Sequence, residues 1–511
     1  MSKLIFKPYF VQKGNGPHID PLVYAADENE NVFHSNISLT KKGIEISDTE
    51  GREKFSIHVR WNIEGFGYLY SIADNGGELY SLSDNEKILN LNYELAKSEV
   101  HLNKRRIKKF ADDGWEPDTE IKHLTNLSEE LLNDAEKKSS EEDKARTAQK
   151  ALMYAHWVSD YTELSKARFD VQRNGKRDDF LFGCDARGYF QMEPALFLER
   201  FSEVFNYATI THYLKADFID FEVEEGKKQF EVRQKILNEL RSRNIRVAGR
   251  PLFWTHYWVT PDWLRKKNYD QLKKYVEEHV KEVVGYYKDD IAVWEVVNEL
   301  HDWANELELN PEQSVEITKH ACEVARSVNP KIKLLINNCR PFGDYVQMAK
   351  YHDKPAKYKQ RTPHQFIKDL MSAGVDFDTI GIQVYYAYYS AADAIRNIER
   401  FGEFNKSVQL SEVGCPSAGI KLEFADPPVE DTARLPYDWH RHWDEELQGD
   451  WLEWTFTYAY SRKFIEGANW YDFVDPFSFL IKGGILRSPK GEKKSAFNRL
   501  MNLKNEWTEL K

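Results

Sequence analysis

The spacing of apolar and polar residues divides the chain into three parts. Up to about residue 90 the two kinds alternate: Phe55, Ile57, Val59, Trp61 and Ile63 interleave with Ser56, His58, Arg60 and Asn62. That period of two predicts a half-buried antiparallel strand. Gly67–Ala73 predicts a second strand, and Asp74-Asn75-Gly76-Gly77 after it reads as a hairpin turn. Short strands with turns between them predict a β-sandwich-like module over residues 1–90. Such a module is either carbohydrate-binding or a structural cap. Residues 91–175 change character. Neither Gly nor Pro occurs from Asn126 to Asn174, and Asn126 with Glu129 reads as a helix N-cap. This stretch predicts a helical linker, one long helix or a hairpin, with the charged run Glu136–Arg146 as a solvated face.

From about residue 176 to residue 511 strand-like runs alternate with helical ones. The expected pairs are Phe180–Cys184 with Pro194–Phe205, Ala208–Leu214 with Gly226–Arg243, Ile245–Trp254 with Tyr269–Tyr287, and Ile291–Glu299 with Ser314–Val328. Lys331–Asn337 with Thr362–Ala373, Phe377–Tyr385 with Ala391–Phe404, Lys406–Val413 with Asp450–Ile465, and Ala468–Phe473 with Lys493–Trp507 complete the set. Eight such units predict an α/β fold, a (β/α)8 TIM barrel. Two strands carry the chemistry. Ile291–Leu300 is apolar and closes on Asn298-Glu299; Lys406–Gly414 has the same form and carries Glu412. Carboxyl ends of barrel strands are where such folds react. Two glutamates there are what a retaining glycosidase uses, one as acid/base and one as nucleophile.

Composition narrows the classes. Aromatic residues make up 14% of the 511 residues, which suits stacking on sugar faces as well as a large core. The net charge of −12 argues against nucleic acid or an anionic membrane as partner. Cys184, Cys322, Cys339 and Cys415 show no paired spacing, so free thiols in a reducing compartment and no metal site are expected. His440 and His442 form only an HxH pair, a weak metal signal. No signal peptide and no long apolar run are visible, so a cytoplasmic protein is expected. No cofactor is implied, and the sequence leaves the oligomeric state open.

Seven segments together resemble glycoside hydrolase family 10, the endo-β-1,4-xylanases, over roughly residues 178–505. WEVVNE (294–299) is similar to the family's Trp-Asp-Val-Val-Asn-Glu, and LSEVG (410–414) resembles its Thr-Glu-Leu-Asp segment. FNYATITHYLK (205–215) keeps the lysine as Lys215, VAGRPLFWT (247–255) the tryptophan as Trp254, and GIQVYY (381–386) the glutamine as Gln383. LLINN (334–338) resembles the fifth strand and points to Asn337. Trp470 with KKSAF (493–497) resembles the last strand and helix. The resemblance implies Glu299 as acid/base and Glu412 as nucleophile, with Asn298 on the sugar 2-hydroxyl. It further implies Lys215, Gln383 and Asn337 as hydroxyl binders or orienting groups, and Trp254 and Trp470 as pocket walls.

The departures fall in pairs. Arg250 and Glu295 stand where the family has a His and an Asp, and a bidentate bond between them is expected. Tyr385 and Gly414 stand for another His–Asp pair, which leaves Tyr385 to donate its hydroxyl to Glu412. His212 replaces an Asn, and Thr255 a His, at positions that line the sugar sites. These changes bear on the choice of glycan more than on the chemistry. The expected function is hydrolysis of xylan or xylo-oligosaccharides, with carboxyls about 5–5.5 Å apart. Alternatives are a different β-linked glycan and a non-catalytic sugar-binding barrel. The long loop 415–449, with Trp439, His440, His442 and Trp443, is expected to fold over the cleft.

Overall fold

Eight parallel strands close a barrel in the computed structural model, which describes residues 3–11, 23–82, 86–216, 219–351, 354–385, 389–419 and 438–510. The strands are β1 Leu181–Asp185, β2 Tyr207–Thr211, β3 Arg246–Arg250, β4 Val293–Asn298, β5 Lys333–Asn338, β6 Thr379–Tyr385, β7 Ser407–Gly414 and β8 Ile465–Trp470. β8 returns to β1 through Asn469↔Gly183 and Trp470↔Cys184. The short strand Phe253–Trp254 prolongs β3 along β4. Because helices cover the outside and side chains fill the inside, these strands are apolar almost throughout. Close packing fixes some residues singly. Trp294 of β4 lies against Gly249 of β3, where a Cβ would come within 2.2 Å of the indole ring.

The eighth strand begins earlier than its expected start at Ala468. The preceding helix runs Glu445–Ser461, capped by Asp444, whose side chain accepts from Leu447 N at 2.7 Å. An Asp followed by two glutamates is a strong helix start, so this helix both starts and stops before its expected bounds.

The N-terminal part holds two four-stranded sheets. One orders Asn36–Thr40, Gly43–Asp48, Leu4–Lys7 and Lys87–Asn90; the other orders Val32–Phe33, Tyr24–Ala26, Ser56–Ile63 and Gly67–Ala73. The hairpin turn lies at residues 64–66, between the last two strands. Residues 75–77 form a 3-10 turn instead, with Asp74 accepting from Gly77 N. Ser56–Ile63 is buried on both faces, contrary to expectation: Ser56, His58 and Arg60 are as hidden as their apolar neighbours. Burial, with Arg396 and Arg400 of the barrel nearby, pushes His58 well below its usual value.

Three helices follow: α1 Leu91–Asp112, α2 Thr119–Glu136 and α3 Glu141–Asn174. Asn126 lies inside α2 and caps nothing. The caps are Asn90, Asp118 and Ser140, and the chain breaks after Glu136 because Ser140-Glu141-Glu142-Asp143 starts a new helix. These helices are packed on both sides. Trp61 Nε1 of the sheet donates to Gln149 Oε1 of α3 at 2.8 Å.

On the other side Asp160 of α3 accepts from Trp439 Nε1 at 2.8 Å and from Ala392 N at 3.1 Å, and lies 3.1 Å from His440 Nε2. Ala392 sits in the first turn of α4 Ala391–Arg400, so the carboxylate faces a helix N-terminus. In the 415–449 loop Trp439 and His440 therefore pack onto α3, while Ser417 donates to Lys482 O at 2.8 Å; residues 420–437, on which the expected cover of the cleft falls, lie outside the described residues. One apolar cluster runs through sheet, helices and barrel, including Trp61, Ala151 and Phe182. All four cysteines are buried free thiols. Among the described residues no helix is long and apolar enough to cross a membrane.

Candidate active site

The carboxyl ends of the barrel strands open into a cleft of about 1290 Å³. That exceeds the ~300–1,000 Å³ usual for a small-molecule pocket. Glu299, just past β4, and Glu412, on β7, both line it, with Asn298, Lys215, Trp254, Gln383 and Tyr385.

Glu299 has φ +55°, a left-handed conformation that costs a non-glycine residue about 1–3 kcal/mol. Its N–H donates to Asn337 O at 2.9 Å, which ties the turn to β5. Gln383 Nε2 donates to one carboxyl oxygen at 2.8 Å and Trp254 Nε1 to the other at 3.2 Å. Burial, then the charge of Glu412, outweighs these donors and pushes Glu299 up to about 7. Gln383 is paired across the sheet with Glu412, so one β6 residue lies between the two glutamates.

Glu412 accepts from three side chains. Tyr385 OH donates to Oε2 at 2.7 Å, Asn337 Nδ2 to Oε1 at 3.2 Å, and Arg250 Nη2 also to Oε1. Donors on both oxygens hold the carboxylate in one orientation. The Tyr385 ring fits because Gly414 is its cross-strand partner; a Cβ there would come within 3.1 Å of the ring. Replacing Gly414 with a larger residue would displace the tyrosine, so the two positions are physically linked.

Arg250 departs from the expected bidentate bond. Its Nε lies 3.3 Å from Glu295 Oε2, while Nη2 serves Glu412 and Nη1 is 3.9 Å from Asp185. One guanidinium thus faces three carboxyls. Asp185 and Asp472 share Arg187, at 3.1 and 3.4 Å. Buried carboxyls outnumber guanidiniums here, so some must hold protons. Burial pushes Glu295 up to about 8 and Asp472 up to about 6.

Four expected site residues do not line the cleft. Arg250 and Asn337 lie beneath it and reach Glu412. His212 is buried among Phe221, Tyr287 and Trp294, with Nδ1 2.9 Å from Ile210 O, so it packs behind the barrel wall. Trp470 is also fully buried: its Nε1 donates to Gly483 O at 3.2 Å and its ring meets Trp451. Adjacent strand residues face opposite ways, so the wall residue is Tyr471. The Arg187 guanidinium lies 3.9 Å above its ring. Thr255 is buried as well and donates to Ala304 O. Sequence reasoning missed Asp185, Arg187, Tyr471 and Phe479. Asp185 carried a signal, a carboxylate at the end of a barrel strand. Among the described residues no group of three His, Cys, Asp or Glu could hold a metal; His442 is 3.1 Å from Asp438.

Residues 178–423, which include both glutamates, match the family model of Glycosyl hydrolase family 10. The chain is similar to the beta-1,4-xylanase of Dictyoglomus thermophilum, 29% identical over 185 residues, or 35% of this chain and 48% of that protein. It is similar to endo-1,4-beta-xylanase A of Halalkalibacterium halodurans, 27% identical over 234 residues, or 40% and 55%. The chain thus spans about half the length of these curated relatives. Among solved structures, a family 10 structure from Paenibacillus barcinonensis aligns with a TM-score of 0.49 at 18% identity, covering 64% of this chain and 95% of that one.

Proposed function

We propose, from the match of residues 178–423 to the family model of Glycosyl hydrolase family 10, that this protein is a retaining β-glycoside hydrolase that cleaves β-1,4-xylosidic bonds in xylan or xylo-oligosaccharides. The observation that carries the reading is the division of labour between two buried glutamates. Glu299 is pushed up to about 7, so it is about half protonated at pH 7 where an ordinary glutamate is almost wholly ionised. Glu412 is gripped by Arg250, Tyr385 and Asn337.

Glu412 attacks the anomeric carbon as the carbon–oxygen bond to the leaving chain breaks. Glu299 gives its proton to the departing oxygen. The product of this step is a glycosyl ester of Glu412, which carries no charge. The negative field that helped raise Glu299 is then gone, so Glu299 becomes a better-ionised base. It takes a proton from water, which attacks the ester and restores both groups. Asn298 is assigned to the sugar 2-hydroxyl, where a hydrogen bond strengthens as the oxocarbenium-like transition state forms.

A different β-linked glycan is the second reading. It is favoured by one observation: Thr255 and His212, at positions expected to meet the sugar, are buried away from the cleft. The test is a panel of aryl β-glycosides, xylobioside, glucoside, cellobioside and arabinoside, with Glu412→Ala and Glu299→Ala beside the wild type. Turnover of the xylobioside, lost in Glu412→Ala, supports the xylan reading. Turnover of another member alone keeps the mechanism and moves the substrate. A folded protein that turns over none of them refutes the proposal.

A further inference from the structure

The N-terminal sheets do more than cap the barrel. Tyr389, after β6, and Phe342, after β5, both line the cleft. Their rings stack at 3.4 Å with an interplanar angle of 2°. Behind Tyr389 stands the N-terminal sheet. Tyr70 stacks on Tyr389 at 5.0 Å, and the Tyr24 hydroxyl meets the Tyr389 hydroxyl at 2.7 Å. Tyr24 is itself stacked on His58 at 4.5 Å. Tyr24, Tyr68 and Tyr70 share one cluster with Tyr345 and Val346 of the barrel, and Trp303 packs against it.

Polar bonds clamp the same joint. Gln347, after β5, accepts from Ser35 N at 3.0 Å and from Ser35 Oγ at 2.8 Å, and donates to Ser35 O at 2.9 Å. Arg400 Nη2 donates to Asn29 O at 2.7 Å.

We propose that the N-terminal module is a fixed wall of the cleft: Tyr24 and Tyr70 hold Tyr389 against Phe342 as a stacking platform for a sugar ring on the leaving-group side. The side follows from the strand order. The platform comes from the loops after β5 and β6, and Trp303 lies four residues beyond Glu299, the group that protonates the leaving oxygen. Phe342 is half-buried, with Tyr389 stacked on one of its faces, so its other face is the one offered to the ligand; Tyr389 itself lies between Phe342 and Tyr70, and Trp303 carries the Arg340 guanidinium over its ring. Sugar C–H faces pack on such rings, and the brace removes the entropic cost of ordering them. Tyr24 and Tyr70 are positioning residues; they touch the platform and not the substrate. The inference rests on the reading that the cleft takes a xylo-oligosaccharide.

Two readouts test it, with Tyr70→Ala, Tyr70→Phe and Tyr24→Phe. The first is the calorimetric Kd of xylotetraose, with each variant made on a Glu299→Gln background so that the sugar survives. Tyr70→Ala is expected to weaken binding about tenfold, and Tyr70→Phe, which keeps the ring, less than about twofold. Tyr24→Phe falls between them. The second is the ratio of kcat/KM for xylotetraose to that for an aryl β-xylobioside, whose leaving group is too short for the platform. Tyr70→Ala is expected to lower this ratio, chiefly through KM for xylotetraose; a general folding defect lowers both terms and leaves the ratio unchanged. An unchanged Kd in Tyr70→Ala, an unchanged ratio, or no binding of xylotetraose by the parent protein overturns the proposal. A parent that binds xylotetraose with this Tyr70 dependence but turns over neither substrate refutes the catalytic reading and leaves the platform standing.

Discussion

Substituting Glu299 by Gln isolates the energetic consequence of raising its proton affinity. Burial and the charge of Glu412 move this carboxyl from an ordinary 4.5 to about 7. Each tenfold change in proton affinity is about 1.36 kcal/mol, so ionising Glu299 in the fold costs about 3 kcal/mol more than ionising it in the unfolded chain. The sign follows from linkage. The folded state binds this proton more tightly, so the contribution is present in full below pH 4.5 and is lost as the pH rises through about 7. Glutamine has the same shape and never ionises. It also turns an amide N–H toward Gln383 or Trp254, both of which donate to the native carboxyl. That mismatch costs about 1–3 kcal/mol at every pH. The variant's stability relative to wild type should therefore climb by about 3 kcal/mol between pH 4.5 and pH 8. Denaturant unfolding of both proteins at pH 4.5, 6 and 8 measures the climb. A difference that stays constant over that range would refute the raised affinity, and with it the assignment of Glu299 as the acid.

Four further outcomes follow from named contacts. kcat/KM on an unactivated xylo-oligosaccharide should fall about tenfold per pH unit above pH 7, as Glu299 loses its proton, and a pH–rate profile without that limb would count against it. Tyr385→Phe removes the 2.7 Å donor to Glu412 and should lower kcat by about 10- to 1,000-fold with little change in unfolding midpoint; steady-state kinetics and melting checks both. Arg250→Met strips the guanidinium from between Glu295 and Glu412, and chemical denaturation at pH 7 should show a loss of about 3–5 kcal/mol. Asp160→Leu leaves Trp439 Nε1 and Ala392 N without their acceptor, so unfolding should report about 2–4 kcal/mol lost, with kcat/KM on an aryl xylobioside little changed.

The barrel was legible because parallel strands covered on both faces write themselves as apolar runs of fixed length, and Ile291–Leu300 and Lys406–Gly414 are such runs. The same rule explains why both glutamates stand at the cleft. What the sequence hid was direction. Trp470 and Tyr471 are adjacent aromatic residues on one strand end, and only the side that each faces decides which one meets a sugar. His212 matched a motif position but turns into the aromatic layer around Trp294. Arg250 was paired by pattern with Glu295, yet a guanidinium has five N–H groups, and the third carboxyl it reaches, on β7, is far away in sequence. The charged run Glu136–Arg146 is mostly exposed, as its composition predicts. The packing of α3 farther along is hidden from the sequence, since the partners of Asp160, which are Trp439, His440 and Ala392, lie more than two hundred residues downstream and leave no local trace.

The central claim is a double displacement through a glycosyl ester on Glu412. Proton NMR of the first product released from an aryl β-xylobioside tests it most directly, because each inversion at the anomeric carbon is read in the product before mutarotation. Two inversions predict that the β-anomer appears first and the α-anomer grows in later. Initial release of the α-anomer would mean a single displacement by water and would contradict the role given to Glu412.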